Sequence, residues 1–141
     1  MPPPATILAF DFGLRRIGVA VGQSVTGSAS PLGVVANRDA GIDHDAIGAL
    51  IREWNPAVLV VGMPAHADGS QSEMQKHVRA FIDELAGFGL PVETVDERYT
   101  SVEAERVLRE DRAAGSRGRI AKKDVDSAAA VFIAERYLAR L

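Results

Sequence analysis

The sequence predicts an α/β fold in which a mixed, five-stranded sheet is flanked by helices. Three observations carry that expectation. Apolar runs of strand length recur five times along the chain. Stretches with apolar residues at helical spacing alternate with them through the second half. No repeat, linker or low-complexity tract interrupts the order, so residues 1–141 are expected to form a single domain.

Residues 6–12 are almost unbroken in apolar character and end on Asp11-Phe12-Gly13, which suits a strand buried on both faces. Along it Ile7, Ala9 and Asp11 share one side. The short connection Gly13-Leu14-Arg15-Arg16 leads into residues 17–22, and the pair reads as an antiparallel hairpin. A third strand is expected over 31–36, beyond a loop of small residues at 24–30. Ile47, Leu50, Ile51 and Trp54 then fall at i, i+3, i+4 and i+7 of a helix that Asn55-Pro56 stops.

Residues 57–62 supply the fourth strand. Ser70 and Glu73 form a capping box for a second helix, whose stripe of Met74, His77, Val78, Phe81, Ile82 and Leu85 is expected to end at Gly87. The fifth strand is residues 92–95. Another capping box, Thr100 to Glu103, opens a further helix, and residues 113–119 read as a basic loop. A closing helix is expected from about 124 to 139, packed through Val125, Ala128, Ala129, Phe132 and Ile133. Right-handed crossovers would place the helices on the two faces of the sheet.

Composition narrows the chemistry. At 141 residues, 47 % hydrophobic and 25 % charged, the chain is long enough to bury a core. It has no cysteine, so disulfides, thiolate metal sites and a cysteine nucleophile are excluded, and any metal must be held by oxygen or histidine. Met1-Pro2-Pro3-Pro4 reads as a frayed leader, and no apolar stretch approaches the roughly 20 residues of a membrane span, which points to a soluble, cytoplasmic protein. The net charge of −3 argues against indiscriminate phosphate binding, but its distribution is uneven. Between Arg106 and Lys123 seven basic residues face two acidic ones, which is either a solvated surface or a phosphate-binding segment.

Three acids stand out. Asp11 lies in a strand expected to be buried, where an ionised carboxylate is expensive unless it is paired or binds a cation. Glu97 follows the fifth strand directly, and strand ends are where open α/β sheets gather ligands, although a local ion pair or a helix cap would also account for it. Asp126 is expected in the first turn of the last helix, on the side of Ala129, Ala130 and Ile133, where it either complements the helix N-terminus or points toward the sheet. Three such acids converging would form an oxygen-rich site suited to Mg²⁺ or Mn²⁺. Two ions about 4 Å apart can activate water and stabilise a leaving oxygen in phosphodiester hydrolysis.

Taken together, Phe10-Asp11-Phe12-Gly13 with Arg16-Ile17-Gly18-Val19-Ala20, then Val60-Val61-Gly62-Met63-Pro64, Asp96-Glu97-Arg98-Tyr99-Thr100 and Val125-Asp126-Ser127-Ala128-Ala129 resemble the YqgF/RuvX-like family over nearly the whole chain. Its members are described as Holliday junction resolvases and pre-16S rRNA nucleases with a ribonuclease H-like fold. The resemblance implies that Asp11, Glu97 and Asp126 are catalytic, metal-binding acids, with Asp96 an accessory. It makes Arg98, Lys122 and Lys123 candidates for phosphate contact, joined by Arg15, Arg16, Arg117 and Arg119 from the basic segments. The implied activity is hydrolysis of phosphodiester bonds in 5′ processing of pre-16S rRNA, with cleavage of four-way DNA junctions as the alternative. Nucleic acid and ribosomal particles are the implied partners, for a monomer or a homodimer. Gln23-Ser24, Met63 and Tyr99 depart from the usual family pattern without touching the three acids.

Two other classes remain open at this point. Asp11-Phe12-Gly13 with Gly18 also looks like the first phosphate loop of actin-like ATPases, but those need two lobes to enclose a nucleotide. A noncatalytic ribosome-assembly factor would keep the fold and the basic segment without turnover. Gly62-Met63-Pro64 and Asp68-Gly69-Ser70 frame a loop that either cradles a phosphate or simply turns the chain. Of the histidines, His66 reads as solvated, His77 as packed and His44 as without a role.

Overall fold

A computed structural model describes residues 4–38, 41–64, 73–96 and 122–141. In chain order they form β1 (Thr6–Asp11), β2 (Arg16–Gln23), β3 (Ser28–Arg38), β4 (Gly41–Ile42), α1 (His44–Trp54), β5 (Val58–Met63), α2 (Glu73–Ala86), β6 (Val92–Asp96) and α3 (Lys122–Leu138). The sheet order is β4-β3-β2-β1-β5-β6. Strands β1 to β4 pair antiparallel with their sequence neighbours, whereas β5 joins β1 in parallel and β6 joins β5 in parallel. The five expected strands are all present, and β4 adds a two-residue pairing at one edge.

Alternation along β1 divides the core in two. Leu8 and Phe10 face a cluster with Ile17, Val19, Leu59 and Val61, closed by Ile47 of α1 and by Val78, Phe81 and Leu85 of α2. Phe81 anchors it, meeting Phe10 edge-on at 5.7 Å and Phe12 at 5.3 Å between ring centroids. Ile7 and Ala9 point the other way, where Val58, Val60 and Val95 pack against Ile133, Ala134, Tyr137 and Leu138 of α3. Strand β1 is thus covered on both faces, as its unbroken apolar run requires.

The local boundaries follow from named contacts. Asp43 caps α1 by accepting from the Ala46 N–H at 3.0 Å, and Asn55 ends that helix in the left-handed region, φ 47°. Strand β3 begins three residues earlier than the sequence predicts, because Gln23 pairs with Ser28 and the connection shrinks to residues 24–27. Gly27 turns that corner at φ 68°. Helix α2 ends at Ala86, directly before Gly87 as expected; the Gly87 N–H bonds back to Glu84 and the positive φ falls at Gly89.

Two further expectations need correction. His77 is exposed, and buried Gln75 takes the place expected for it on the inner face of α2. Helix α3 starts at Lys122, so Asp126 falls in its second turn and Lys122 and Lys123 in its first. Its packing is dominated by small residues: Ala128, Ala129, Ala130 and Ala134 are buried with Ser127, while Phe132 is only half-buried. The short side chains let the helix axis lie close to the sheet. The cap Ser70, the helix expected from Thr100 and the basic loop 113–119 lie outside the described residues.

Candidate active site

Because β1, β5 and β6 are parallel, their C-terminal ends meet at one end of the sheet. Phe10 registers with Val61, Val61 with Thr94, and Met63 with Asp96. Asp11, the last residue of β1, is therefore level with Gly62 and Val95 and pairs with Gly18 of β2 on its other side. Both neighbouring strands contribute glycine at this level, so neither adds a side chain beside the carboxylate. Asp11 is half-buried and shares the parity of Ile7 and Ala9, which places it on the α3 side of the sheet.

Helix α3 runs against β1. Leu138 reaches the start of that strand, where a Cβ placed on Gly22 would stand 3.1 Å from the Leu138 Cδ1 and 3.0 Å from the Ile7 Cγ1. The opposite end of α3 consequently extends toward the Asp11 end of β1. Asp126 precedes the fully buried Ile133 by seven residues, about 10 Å along the axis in that direction. The side chains of Asp126, Lys122 and Lys123 lie outside the described residues, as do Glu97, Arg98, Arg117 and Arg119 altogether. Among the described residues no group of three acids or histidines is close enough to hold a metal ion.

Asp96 has the parity of Thr94, opposite to that of Glu93 and Val95. It therefore starts from the other side of β6 than the one facing Asp11, which weakens its case as an accessory acid. Arg15 and Arg16 are exposed at the tip of the β1–β2 hairpin, at the same end as Asp11. A side chain from β3 supports this tip: the Asn37 amide donates to the Gly13 carbonyl at 2.8 Å, and the Asn37 N–H donates to the Arg15 carbonyl at 3.0 Å. Gly13 is required there, since a Cβ at this position would sit 2.5 Å from the Arg16 carbonyl oxygen.

Three more residues had no signal in the sequence, two acting at this end of the sheet and Tyr137 midway along β6. Gln75 donates its side-chain amide to the Pro64 carbonyl at 2.5 Å, fixing the chain where it leaves β5. Tyr137 donates to the Glu93 carboxylate at 2.5 Å, and that hydrogen bond, with burial and the Glu93 charge behind it, pushes the phenol pKa up to about 12. Arg136 donates to the Asp96 carbonyl at 2.6 Å.

The sequence profile of the RuvX family, described as Holliday junction resolvase, matches residues 5–140. The chain belongs to this family. RuvX relatives include a protein of Burkholderia lata named "Putative pre-16S rRNA nuclease", 48 % identical over 138 residues that cover 97 % of this chain and 91 % of the relative. One of the same name from Paraburkholderia xenovorans is 48 % identical over 95 % of this chain and 88 % of its own. Among solved structures, Thermus thermophilus RuvC bound to a Holliday junction substrate superposes with a TM-score of 0.57 at 16 % identity, covering 96 % of this chain and 95 % of that one. The Fowlpox virus resolvase in complex with junction DNA gives 0.56 at 11 % identity, over 96 % and 97 %. These likenesses establish the ribonuclease H-like fold of this RuvX member. No helix among its described residues is long and apolar enough to cross a membrane.

Proposed function

We propose that this RuvX-family protein is a metal-dependent endonuclease that hydrolyses phosphodiester bonds in 5′ processing of pre-16S rRNA, acting as a single domain in the cytoplasm. The observation that carries the reading is Asp11: a carboxylate at the C-terminal end of the central strand, at the sheet end where β5 and β6 also finish. Relatives covering 97 % of the chain, named for that reaction, support the substrate class.

Asp11, Glu97 and Asp126 are the residues that would hold Mg²⁺ or Mn²⁺. Three carboxylates in a chain without cysteine fit a hard, oxygen-seeking ion better than zinc. When bound, a pair of such ions supplies an activated water and stabilises the departing oxygen. The chain's own part is to orient and attract. The end of β1 presents Asp11, glycines stand at its level on both neighbouring strands, and Arg15 and Arg16 bind backbone phosphates at the hairpin tip. Arg98, Arg117, Arg119, Lys122 and Lys123 would extend that basic surface over the precursor or the ribosomal particle carrying it.

Cleavage of four-way DNA is the second reading, favoured by the description of the family. End-labelled precursor rRNA and a synthetic four-way junction, each incubated with Mg²⁺ or Mn²⁺ and with chelator, separate the two. Metal-dependent cuts in the precursor alone support RNA processing. Paired symmetric cuts in the junction, accompanied by a dimer in solution, would replace it. Binding of either substrate without any cut would make the protein an assembly factor.

A further inference from the structure

We propose that Leu14, at the tip of the β1–β2 hairpin, is a nucleobase contact that packs against an unstacked base of single-stranded RNA beside the phosphates held by Arg15 and Arg16, and that Asn37 keeps it in place. The proposal rests on the reading of the protein as one that acts on precursor rRNA. Exposed leucines are common on protein surfaces, and one alone carries nothing. Leu14 differs in its neighbours and in how firmly its segment is held.

Leu14 is 56 % exposed, and Arg15 and Arg16 are exposed directly after it. The other large apolar side chains left exposed among the described residues are Val25, Val34 and Leu141. Val25 and Leu141 border a cavity at the other end of the sheet, beside Ile7 and Val58, and Val34 lies within β3. Leu14 stands at the Asp11 end, three residues past that acid. Arg16 opens β2, where Ile17 turns into the cluster around Leu8 and Phe10, so Arg16 leaves the strand on the face that Asp11 and Gly18 share.

The tip is pinned on both flanks of Leu14. Before it, the Phe12 ring packs against Phe81 at 5.3 Å between centroids. From β3, Asn37 takes two carbonyls of the tip: its side-chain amide donates to Gly13 at 2.8 Å and its N–H donates to Arg15 at 3.0 Å. Asn37 is backed in turn by pairing with Ile42 of the two-residue β4. Held at the residues before and after it, Leu14 stays in solvent, whereas Phe12 two residues earlier folds onto the core. A turn that only reverses the chain is served by small and polar residues. A braced one that lifts a leucine outward presents it to a ligand.

The chemistry of the trio names that ligand. Two adjacent guanidinium groups attract a phosphate backbone, and apolar wedges, leucine among them, pack between bases that have left the stack. Duplex RNA hides its base faces, so Leu14 meets one where the strand is single. A tip that is already ordered loses little freedom on binding.

The test compares wild type with Leu14→Ala, Leu14→Phe, Asn37→Ala and the variant carrying both alanines. Binding is read by anisotropy on a short single-stranded RNA and on the same RNA annealed to its complement, with chelator present so that nothing is cut. A fluorescent purine analogue at successive positions reports unstacking, and melting curves control for the fold. Leu14→Ala is expected to weaken single-strand binding by about 4–10-fold, the scale of burying the exposed part of a leucine. It should leave duplex binding unchanged and abolish the fluorescence enhancement that wild type gives at one position. Leu14→Phe should bind as well as wild type or better. Asn37→Ala should weaken single-strand binding too, and the double variant should lose less than the sum, because without the brace Leu14 no longer keeps its place. Wild-type affinity in Leu14→Ala, or equal losses on single strand and duplex, would overturn the base contact. Additive losses that track melting temperature would overturn the role of Asn37. Cleavage with Mn²⁺ is scored separately: the expected binding pattern in a wild type that never cuts would leave the base contact standing and sink the nuclease reading alone.

Discussion

Tyr137, in the last turn of α3, donates its phenol hydrogen to the Glu93 carboxylate of β6 across 2.5 Å. The bond joins two elements 44 residues apart and makes the stability of that junction depend on pH. Tyr137 ionises near 10 in an unfolded chain and at about 12 in the folded one. Below pH 10 the phenol is protonated in both states and the contribution is complete. As pH rises through the interval the unfolded chain ionises first, so this contribution is lost by about 12. Tyr137→Phe should cost about 1 kcal/mol at neutral pH, and the gap between wild type and variant should close as denaturant titrations are repeated above pH 10.

Gly13→Ala should destabilise the hairpin tip. The added carbon would stand 2.5 Å from the Arg16 carbonyl, a backbone atom that cannot swing aside. Overpacking of this kind costs about 1–3 kcal/mol. A urea midpoint lowered at unchanged m would register the loss, and weakened substrate binding should accompany it because Arg15 and Arg16 ride on the displaced segment.

Arg15 and Arg16 should affect affinity rather than chemistry. Removing one cation from a backbone phosphate lowers the slope of log affinity against log salt by about 0.7–0.9, depending on whether the strand is single or duplex. Binding isotherms of the double alanine variant across a salt series should show a shallower line, with cleavage at saturating substrate preserved. A slope equal to wild type would remove the hairpin tip from the substrate surface.

The two core strands were legible in the sequence because β1 and β5 are buried on both faces and had to be apolar throughout. Strand β3 was only partly so. Ser28, Ala29 and Ser30 carry little strand preference of their own, and they extend because Gln23, Gly22 and Val21 pair with them. On α2 the apolar spacing draws His77 into the stripe, yet it precedes Val78 and lies about 100° round the helix from it. Polar Gln75 is buried in its stead because its amide has the Pro64 carbonyl to bind. The same reason separates the legible from the illegible in the site. A carboxylate in an apolar strand, Asp11, is conspicuous in any reading. Asn37, Gln75 and Arg136 act on backbone carbonyls that folding brings to them from 11 to 40 residues away, and no local pattern records such partners.

Asp11→Asn tests the central claim most directly, since the substitution removes the charge of the acid at the end of β1 and nearly nothing of its volume. Wild type and variant would be compared for binding and for Mg²⁺- or Mn²⁺-dependent cleavage of precursor rRNA, under conditions where both melt at similar temperatures. The expected result is retained binding and a loss of cleavage of about a hundredfold or more, the scale on which loss of a charge-stabilising group acts. Full metal-dependent cleavage by the variant would contradict the assignment of Asp11 to the catalytic site.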